Sequence, residues 1–257
     1  EYGFQSGEGR SRANLDLPGL QQELLEEVYA INPNIVLVLM NGRPLILNWA
    51  AEHLPAIVEA WHLGTQSGHA IAQVLYGDYN PAGKLPMSFP RSVGQMPLYY
   101  NYKSTGRPGA DGEDQGSVFW SHYGDEKNSA LYPFGYGLSY TEFSYSAIEL
   151  SDTEMTAEGS INASVLLTNT GKVEGKEVVQ FYLQDPYASA VRPVRELKGF
   201  ELVSLKPGES KRVSFTIDEK MLQFYSANNT WESEAGDFNI YIGTDSTTNR
   251  KANFILN

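Results

Sequence analysis

The chain has 257 residues, of which 41% are apolar, enough for two domains of ordinary size each burying its own core. It contains no cysteine, which excludes disulfides, thiolate metal sites and thiol chemistry. A formal charge of -12 disfavours nucleic acid and anionic membrane as partners and leaves a neutral ligand open.

Residues 1–10 carry three glycines and no helical period, so they read as loop. Residues 1–15 also lack the basic start and apolar run of a signal peptide, so residue 1 is expected to be a cut or processed end, with any targeting segment upstream. From Asp16 to Ala30 the pattern predicts a helix, with Asp16 as its cap, Pro18 in the first turn and Leu20, Leu24, Val28 and Ile31 on one stripe. Asn32-Pro33-Asn34 ends it. Ile35 to Leu39 is a short apolar run rich in branched side chains, expected as an internal parallel strand covered on both faces. The longest such run, Ile35 to Met40, is far too short to span a membrane, and no membrane insertion is expected.

Pro44–Asn48 and Ala56–Trp61 read as further strands, and Thr65 as the cap of a helix through Tyr76 with Ala70, Ile71, Val74 and Leu75 inward. Lys84–Phe89 alternates weakly, as another strand would. Residues 90–140 hold no long period and are rich in proline, glycine and aromatic side chains, so they read as a long surface connection. After Phe143 the period becomes two: Ile161, Ala163, Val165 and Leu167, then Val213, Phe215 and Ile217, then Phe238, Ile240 and Ile242. Turn signals at Asn169-Thr-Gly171, Lys206-Pro-Gly208 and Glu234-Ala-Gly236 separate these runs, as an antiparallel sandwich requires. The expected organisation is an α/β domain over 1–103, a connection over 104–144 and an all-β domain over 145–257.

Glu8 lies between two glycines, near Arg10 and Arg12. Glycine neighbours let the backbone approach a ligand, and a carboxyl in a partly dehydrated site can act as a general acid, although a solvated loop carboxylate has the same local sequence. Asp16, Asp78, Asp111, Glu113, Asp114, Asp125 and Glu126 are further carboxylates, and spacing pairs none of them with Glu8. His53, His62, His69 and His122 fall in no metal spacing, and neither a metal nor a cofactor is expected. Phe119, Trp120 and Tyr123 offer flat apolar faces with polar edges, suited either to a sugar ring or to pinning an irregular segment.

The runs Ser6-Gly-Glu-Gly-Arg-Ser-Arg12, Val38-Leu-Met-Asn-Gly-Arg-Pro44, Gly83-Lys-Leu-Pro86, Phe134-Gly-Tyr-Gly-Leu-Ser-Tyr140 and Pro193-Val-Arg-Glu-Leu-Lys-Gly-Phe200 resemble the C-terminal half of glycoside hydrolase family 3, of the bacterial periplasmic β-glucosidase type. The resemblance implies a flavodoxin-like α/β sandwich followed by a fibronectin type III-like sandwich. It also implies retaining hydrolysis of β-D-glucosyl residues from a β-glucoside or gluco-oligosaccharide. Glu8 falls on the family acid/base, whereas the aspartate nucleophile belongs to an N-terminal (β/α)8 barrel that this chain lacks and that must come from the same enzyme, as one polypeptide or as a separate chain. Arg12, Phe119, Trp120 and Tyr123 are the candidate sugar contacts, and a periplasmic or secreted location is implied. Ser11 stands where many relatives have Asp, and Gln66 where many have Glu, which weakens any transfer of contacts at Arg12 and Gln66. Two other readings stay open: a β-xylosidase or α-L-arabinofuranosidase of the same family, and a non-catalytic carbohydrate-binding or scaffolding fragment. A homodimer is a further state the sequence permits.

Overall fold

A computed structural model describes residues 8–107 and 119–257. Its elements are helix α1 (Gln21–Ile31), strand β1 (Val36–Leu39), helix α2 (Asn48–His53), strand β2 (Ala56–Glu59) and helix α3 (Ser67–Leu75). There follow β3 (Phe143–Tyr145), β4 (Glu149–Leu150), β5 (Glu154–Met155), β6 (Ser160–Asn169), β7 (Gly175–Gln184), β8 (Glu196–Leu205) and β9 (Ser210–Asp218). The chain closes with the short helix α4 (Glu219–Leu222), β10 (Phe224–Tyr225), β11 (Trp231–Glu232), β12 (Gly236–Gly243) and β13 (Lys251–Leu256). The described residues group into two compact units, one of residues 8–78, 88–98 and 119–132, the other of residues 79–87, 99–107 and 133–257.

In the first unit, α1, β1, α2, β2 and α3 follow one another as helix and strand alternate, and β1 pairs with β2 in parallel from Val36–Ala56 to Leu39–Glu59. Several local expectations are corrected. The first helix begins at Gln21, because Gly19 takes a left-handed φ of 62° that interrupts the chain ahead of it. Asp16 does not cap it: the Asp16 N–H is bound by Asn14 Oδ1 at 2.7 Å, and α1 has no side-chain cap. The stripe Leu20, Leu24, Val28 and Ile31 is exposed, Ile31 by 86%, and Leu25 is the buried residue of the helix. Nor is β1 internal, since among the described residues β2 alone pairs with it, and Val36 is 48% exposed.

Residues 44–48 form no strand. Pro44 has no N–H for a ladder, α2 starts at Asn48, and between them Ile46 N–H donates to Leu15 O at 2.9 Å. The strand after Ala56 stops at Glu59, because Trp61 has a φ of 47° that extended pairing cannot continue. Ahead of α3 lies a 3₁₀ turn, Gly64–Gln66, so Thr65 caps nothing. Ala70, Ile71 and Val74 are half-buried, and Leu75 is exposed. Lys84–Phe89 makes isolated backbone contacts with the 131–136 stretch and no strand: in the first unit Phe89 N–H donates to Tyr132 O, and in the second Leu85 N–H donates to Tyr136 O, each at 2.8 Å.

The second unit is a two-sheet sandwich. One sheet has the order β5-β13-β12-β7-β8; in the other, β6 pairs with β9 along one edge and with β3 and β4 along the other. The period-two pattern fixes which side chains meet between the sheets: Ala163, Val165 and Leu167 of β6, Val213 and Ile217 of β9, and Ile240 and Ile242 of β12 are fully buried. Segment 79–87 belongs with this unit through side chains that find partners there. Asn80 Oδ1 accepts from Ser139 Oγ and the Tyr140 N–H, and Lys84 Nζ donates to Gly137 O at 2.7 Å and pairs with Glu177 at 3.2 Å.

Burial raises the Glu177 carboxyl above the ordinary carboxylate range. The Lys84 ammonium and the Tyr145 hydroxyl at 3.1 Å offset this in part, and the Asp245 charge adds to it. A raised folded-state value means that the folded chain holds this proton more tightly than the unfolded chain. The resulting stability is complete below the unfolded value of 4.5 and is lost as pH rises through the folded value. Glu177→Gln is therefore expected to flatten the fall in stability over that window by up to about 1.4 kcal/mol per pH unit. Denaturant unfolding at a series of pH values measures it, and curves of equal slope for the two chains would contradict it.

Candidate active site

Glu8 sits in a turn and is exposed, with Gly9 beside it at a φ of 70°, a conformation in which a Cβ would be strained. The segment that follows is held at its base. Arg43 Nη1 donates to Arg12 O at 3.0 Å, and Ile46 N–H donates to Leu15 O, with Leu15, Leu45 and Leu47 all buried. Arg43 lies just past β1, and its own carbonyl accepts from Asn41 Nδ2 at 2.6 Å.

The Glu8 segment therefore rests against the carboxyl end of β1, where open α/β sheets bind their ligands. The end of β2 lies beside it: β1 and β2 are in register up to Leu39 and Glu59, and a Cβ at Gly42 would come within 3.1 Å of the His62 ring. There Glu59 Oε1 accepts the Trp61 N–H at 2.9 Å, which helps hold Trp61 in its left-handed conformation, and the Trp61 ring packs on Phe89 with centroids 6.0 Å apart. Burial raises the Glu59 carboxyl, and the Trp61 N–H and the Asn41 side chain oppose the rise. Glu59 Oε2 and Asn41 Oδ1 are buried without a hydrogen-bond partner in the described structure. A groove runs from Arg12, Asn41, Arg43 and His62 along the apolar side chains of α1 and β1.

Of the residues singled out in the sequence, Glu8 and Arg12 share one loop. Phe119, Trp120 and Tyr123 share a turn on another segment of the same unit, and these residues are exposed by 72%, 42% and 44%. That turn is fastened by Tyr123 OH donating to Gly94 O at 3.3 Å, Asn128 Nδ2 donating to Ser121 O, and the buried Gln95 amide donating to Lys127 O at 2.7 Å. Asp16 and Asp78 are exposed, and Glu126 accepts its neighbour's N–H. Asp111, Glu113 and Asp114, with Ser6 and Gly7 of the first motif, lie outside the described residues. Sequence reasoning missed Glu59 and the tie from Arg43; the run through Arg43-Pro44 was visible, but nothing local says which carbonyl its guanidinium will reach.

Residues 2–140, more than half of the chain, match the glycosyl hydrolase family 3 C-terminal domain. The chain belongs to glycosyl hydrolase family 3. Residues 177–246 match a fibronectin type III-like domain, so the fold is an α/β domain followed by an all-β sandwich. Among its relatives are a periplasmic β-glucosidase of Salmonella typhimurium, 51% identical across 97% of this chain, and a β-xylosidase of Formosa agariphila, 45% identical across 93%. The crystal structure of a β-glucosidase from Listeria innocua in complex with isofagomine superposes with a TM-score of 0.93 over 98% of the chain, at 40% identity. This family 3 chain spans about a third of the length of these relatives, 32% of the first two and 35% of the third. No helix among its described residues is long and apolar enough to cross a membrane.

Proposed function

We propose that the chain is the C-terminal part of a retaining β-glucosidase, with Glu8 as its general acid/base. The observation that carries this reading is the 51% identity with a periplasmic β-glucosidase, which runs through nearly every residue of the chain. Retention needs two carboxyl groups about 5 to 5.5 Å apart. Glu8 is one; the other is an aspartate of the (β/α)8 barrel in the remaining two thirds of the polypeptide. Glu8 first protonates the glycosidic oxygen while the aspartate attacks the anomeric carbon, and then takes the proton of the water that hydrolyses the glycosyl-enzyme. Arg12 and the exposed rings of Phe119, Trp120 and Tyr123 contact the sugar. The location of that relative supports a periplasmic or secreted enzyme.

The open edge of β1 and the exposed stripe of α1 support a partner for this surface. A parallel strand with one open edge and a bare apolar helix face are poor surfaces to leave in water. The rest of the polypeptide covers them. A β-xylosidase is the second reading, favoured by the Formosa relative. The ratio of kcat/KM for an aryl β-glucoside to that for the β-xyloside, measured on the complete polypeptide, separates the two. The sugars differ by one hydroxymethyl group, whose methylene alone is worth about 10- to 200-fold in a fitted apolar pocket. A ratio above about 10 is expected; a ratio inverted in favour of xyloside would replace the reading with the second.

A further inference from the structure

Gln95 closes the 3₁₀ turn Val93–Gln95 and is only 4% exposed, so its amide has to find partners inside the protein. Both ends of the amide do. Oε1 accepts the Arg91 N–H at 2.6 Å, and Nε2 faces the carbonyls of Lys127, Asn128 and Ser129 at 2.7, 3.5 and 3.3 Å. The Arg91 guanidinium continues the row, with Nε on Ser129 O at 3.1 Å and Nη2 on Ala130 O at 3.4 Å. Residues 127–130 belong to no helix or strand, so their carbonyls need donors from elsewhere, and this amide and guanidinium supply them. The donors are mounted on helix α2, whose first residue, Asn48, donates through Nδ2 to Arg91 O at 2.9 Å. From the middle of the held stretch Asn128 reaches the aromatic turn: its Nδ2 donates to Ser121 O at 2.9 Å and its Oδ1 accepts the Tyr123 N–H at 3.1 Å.

We propose that Gln95 is a positioning residue for substrate binding, setting through Asn128 where Phe119, Trp120 and Tyr123 meet the sugar. This inference rests on the reading of those rings as sugar contacts. The bond from Tyr123 OH to Gly94 O is a second tie from the same 3₁₀ turn, so one short segment bears on the aromatic turn at two points. A ring held in place before the sugar arrives loses less freedom on binding than one that must be ordered by it. Gln95 touches neither the sugar nor the reacting bond, and its effect falls on affinity.

The test uses Gln95→Met, Gln95→Asn and a triple variant, Phe119→Ala with Trp120→Ala and Tyr123→Ala, in the complete polypeptide acting on aryl β-glucosides. Methionine keeps the length of the side chain and removes both its donor and its acceptor. For Gln95→Met, KM is expected to rise about 3- to 10-fold, the worth of one aromatic contact, with kcat changed by less than about two-fold, because a contact made equally in bound substrate and transition state appears in KM. The dependence on leaving group should stay as it is without the substitution, since Glu8 is untouched. Gln95→Asn keeps the amide on a shorter stem and should recover part of the loss, and Gln95→Met added to the triple variant should cost little more than the triple variant alone. If Gln95→Met does not fold, Gln95→Asn carries the test with the same rise in KM at smaller amplitude. An unchanged KM, a fall in kcat at constant KM, or a loss fully additive with the triple variant would overturn the role of Gln95 while leaving the rings as sugar contacts. A triple variant with an unchanged KM would instead overturn the reading of the rings, and the role of Gln95 with it.

Discussion

Purified residues 1–257 are expected to release no aryl aglycone from β-glucosides, and turnover should appear when the barrel part of the polypeptide is supplied, joined or separate. The double displacement needs a nucleophile and an acid/base on opposite sides of one bond, and the proposed role of Glu8 gives this chain only the second of them. The loss is therefore complete and not a matter of degree. Reconstitution should also depend on the surface left bare in this chain. Leu24 is 64% exposed and Val28 43%, so Leu24→Asp or Val28→Asp should leave the chain folded, yet cut the recovered activity at least ten-fold by placing a charge against the apolar surface that docks there. Circular dichroism and a titration of activity against added barrel part measure both effects. Steady turnover by the chain alone, or recovery indifferent to these two substitutions, would contradict the division of labour.

How far the sequence predicted the fold depended on whether a surface is completed within the chain. The alternation over Ile161–Leu167 and Phe238–Ile242 could be read because β6 and β12 each find both the neighbouring strand and the opposing sheet within these 257 residues, and their inward side chains are buried as the pattern demands. The same reasoning correctly found α1 and β1 as elements but failed on their burial. Leu20, Leu24, Val28 and Ile31 form an apolar stripe and are nonetheless exposed, and Val36 is 48% exposed where its apolar run predicts cover. Composition reports what a face requires, not which segment supplies it. Other misses are local: Gly19 and Trp61, both at positive φ, bound elements that hydropathy alone would have extended, and Pro44 has no N–H for the ladder expected over residues 44–48.

The site was less legible. Flanking glycines and nearby arginines make Glu8 a weak candidate, since solvated loop carboxylates look the same, and the family motif raised it. Arg12 could be noticed beside Glu8, whereas its carbonyl's partner lies 31 residues away at Arg43, a side chain-to-backbone bond that leaves no periodic trace. Glu59 was hidden in an apolar run, and its burial and its hydrogen bond to the left-handed Trp61 mark it out in the structure. Phe119, Trp120 and Tyr123 were visible as rings, but their anchoring through Gln95 and Gly94 was not.

If Glu8 moves the proton in both halves of the reaction, Glu8→Gln in the complete polypeptide should impair both. Gln keeps the size and hydrogen-bonding capacity of the side chain and removes its acid, so folding and sugar binding should persist. General acid/base assistance is worth about 10²- to 10⁴-fold, and glycosylation by substrates with poor leaving groups should slow by that factor. Dinitrophenolate departs with little protonation, so its first step should be spared. Water then lacks its base in the second step, and azide, which attacks without losing a proton, should restore turnover and yield the glycosyl azide. The measurement is a set of steady-state rates across a series of aryl β-glucosides, with and without azide. A steep dependence on leaving-group pKa together with azide rescue is expected. A flat dependence without rescue would contradict it and leave Glu8 as a loop carboxylate.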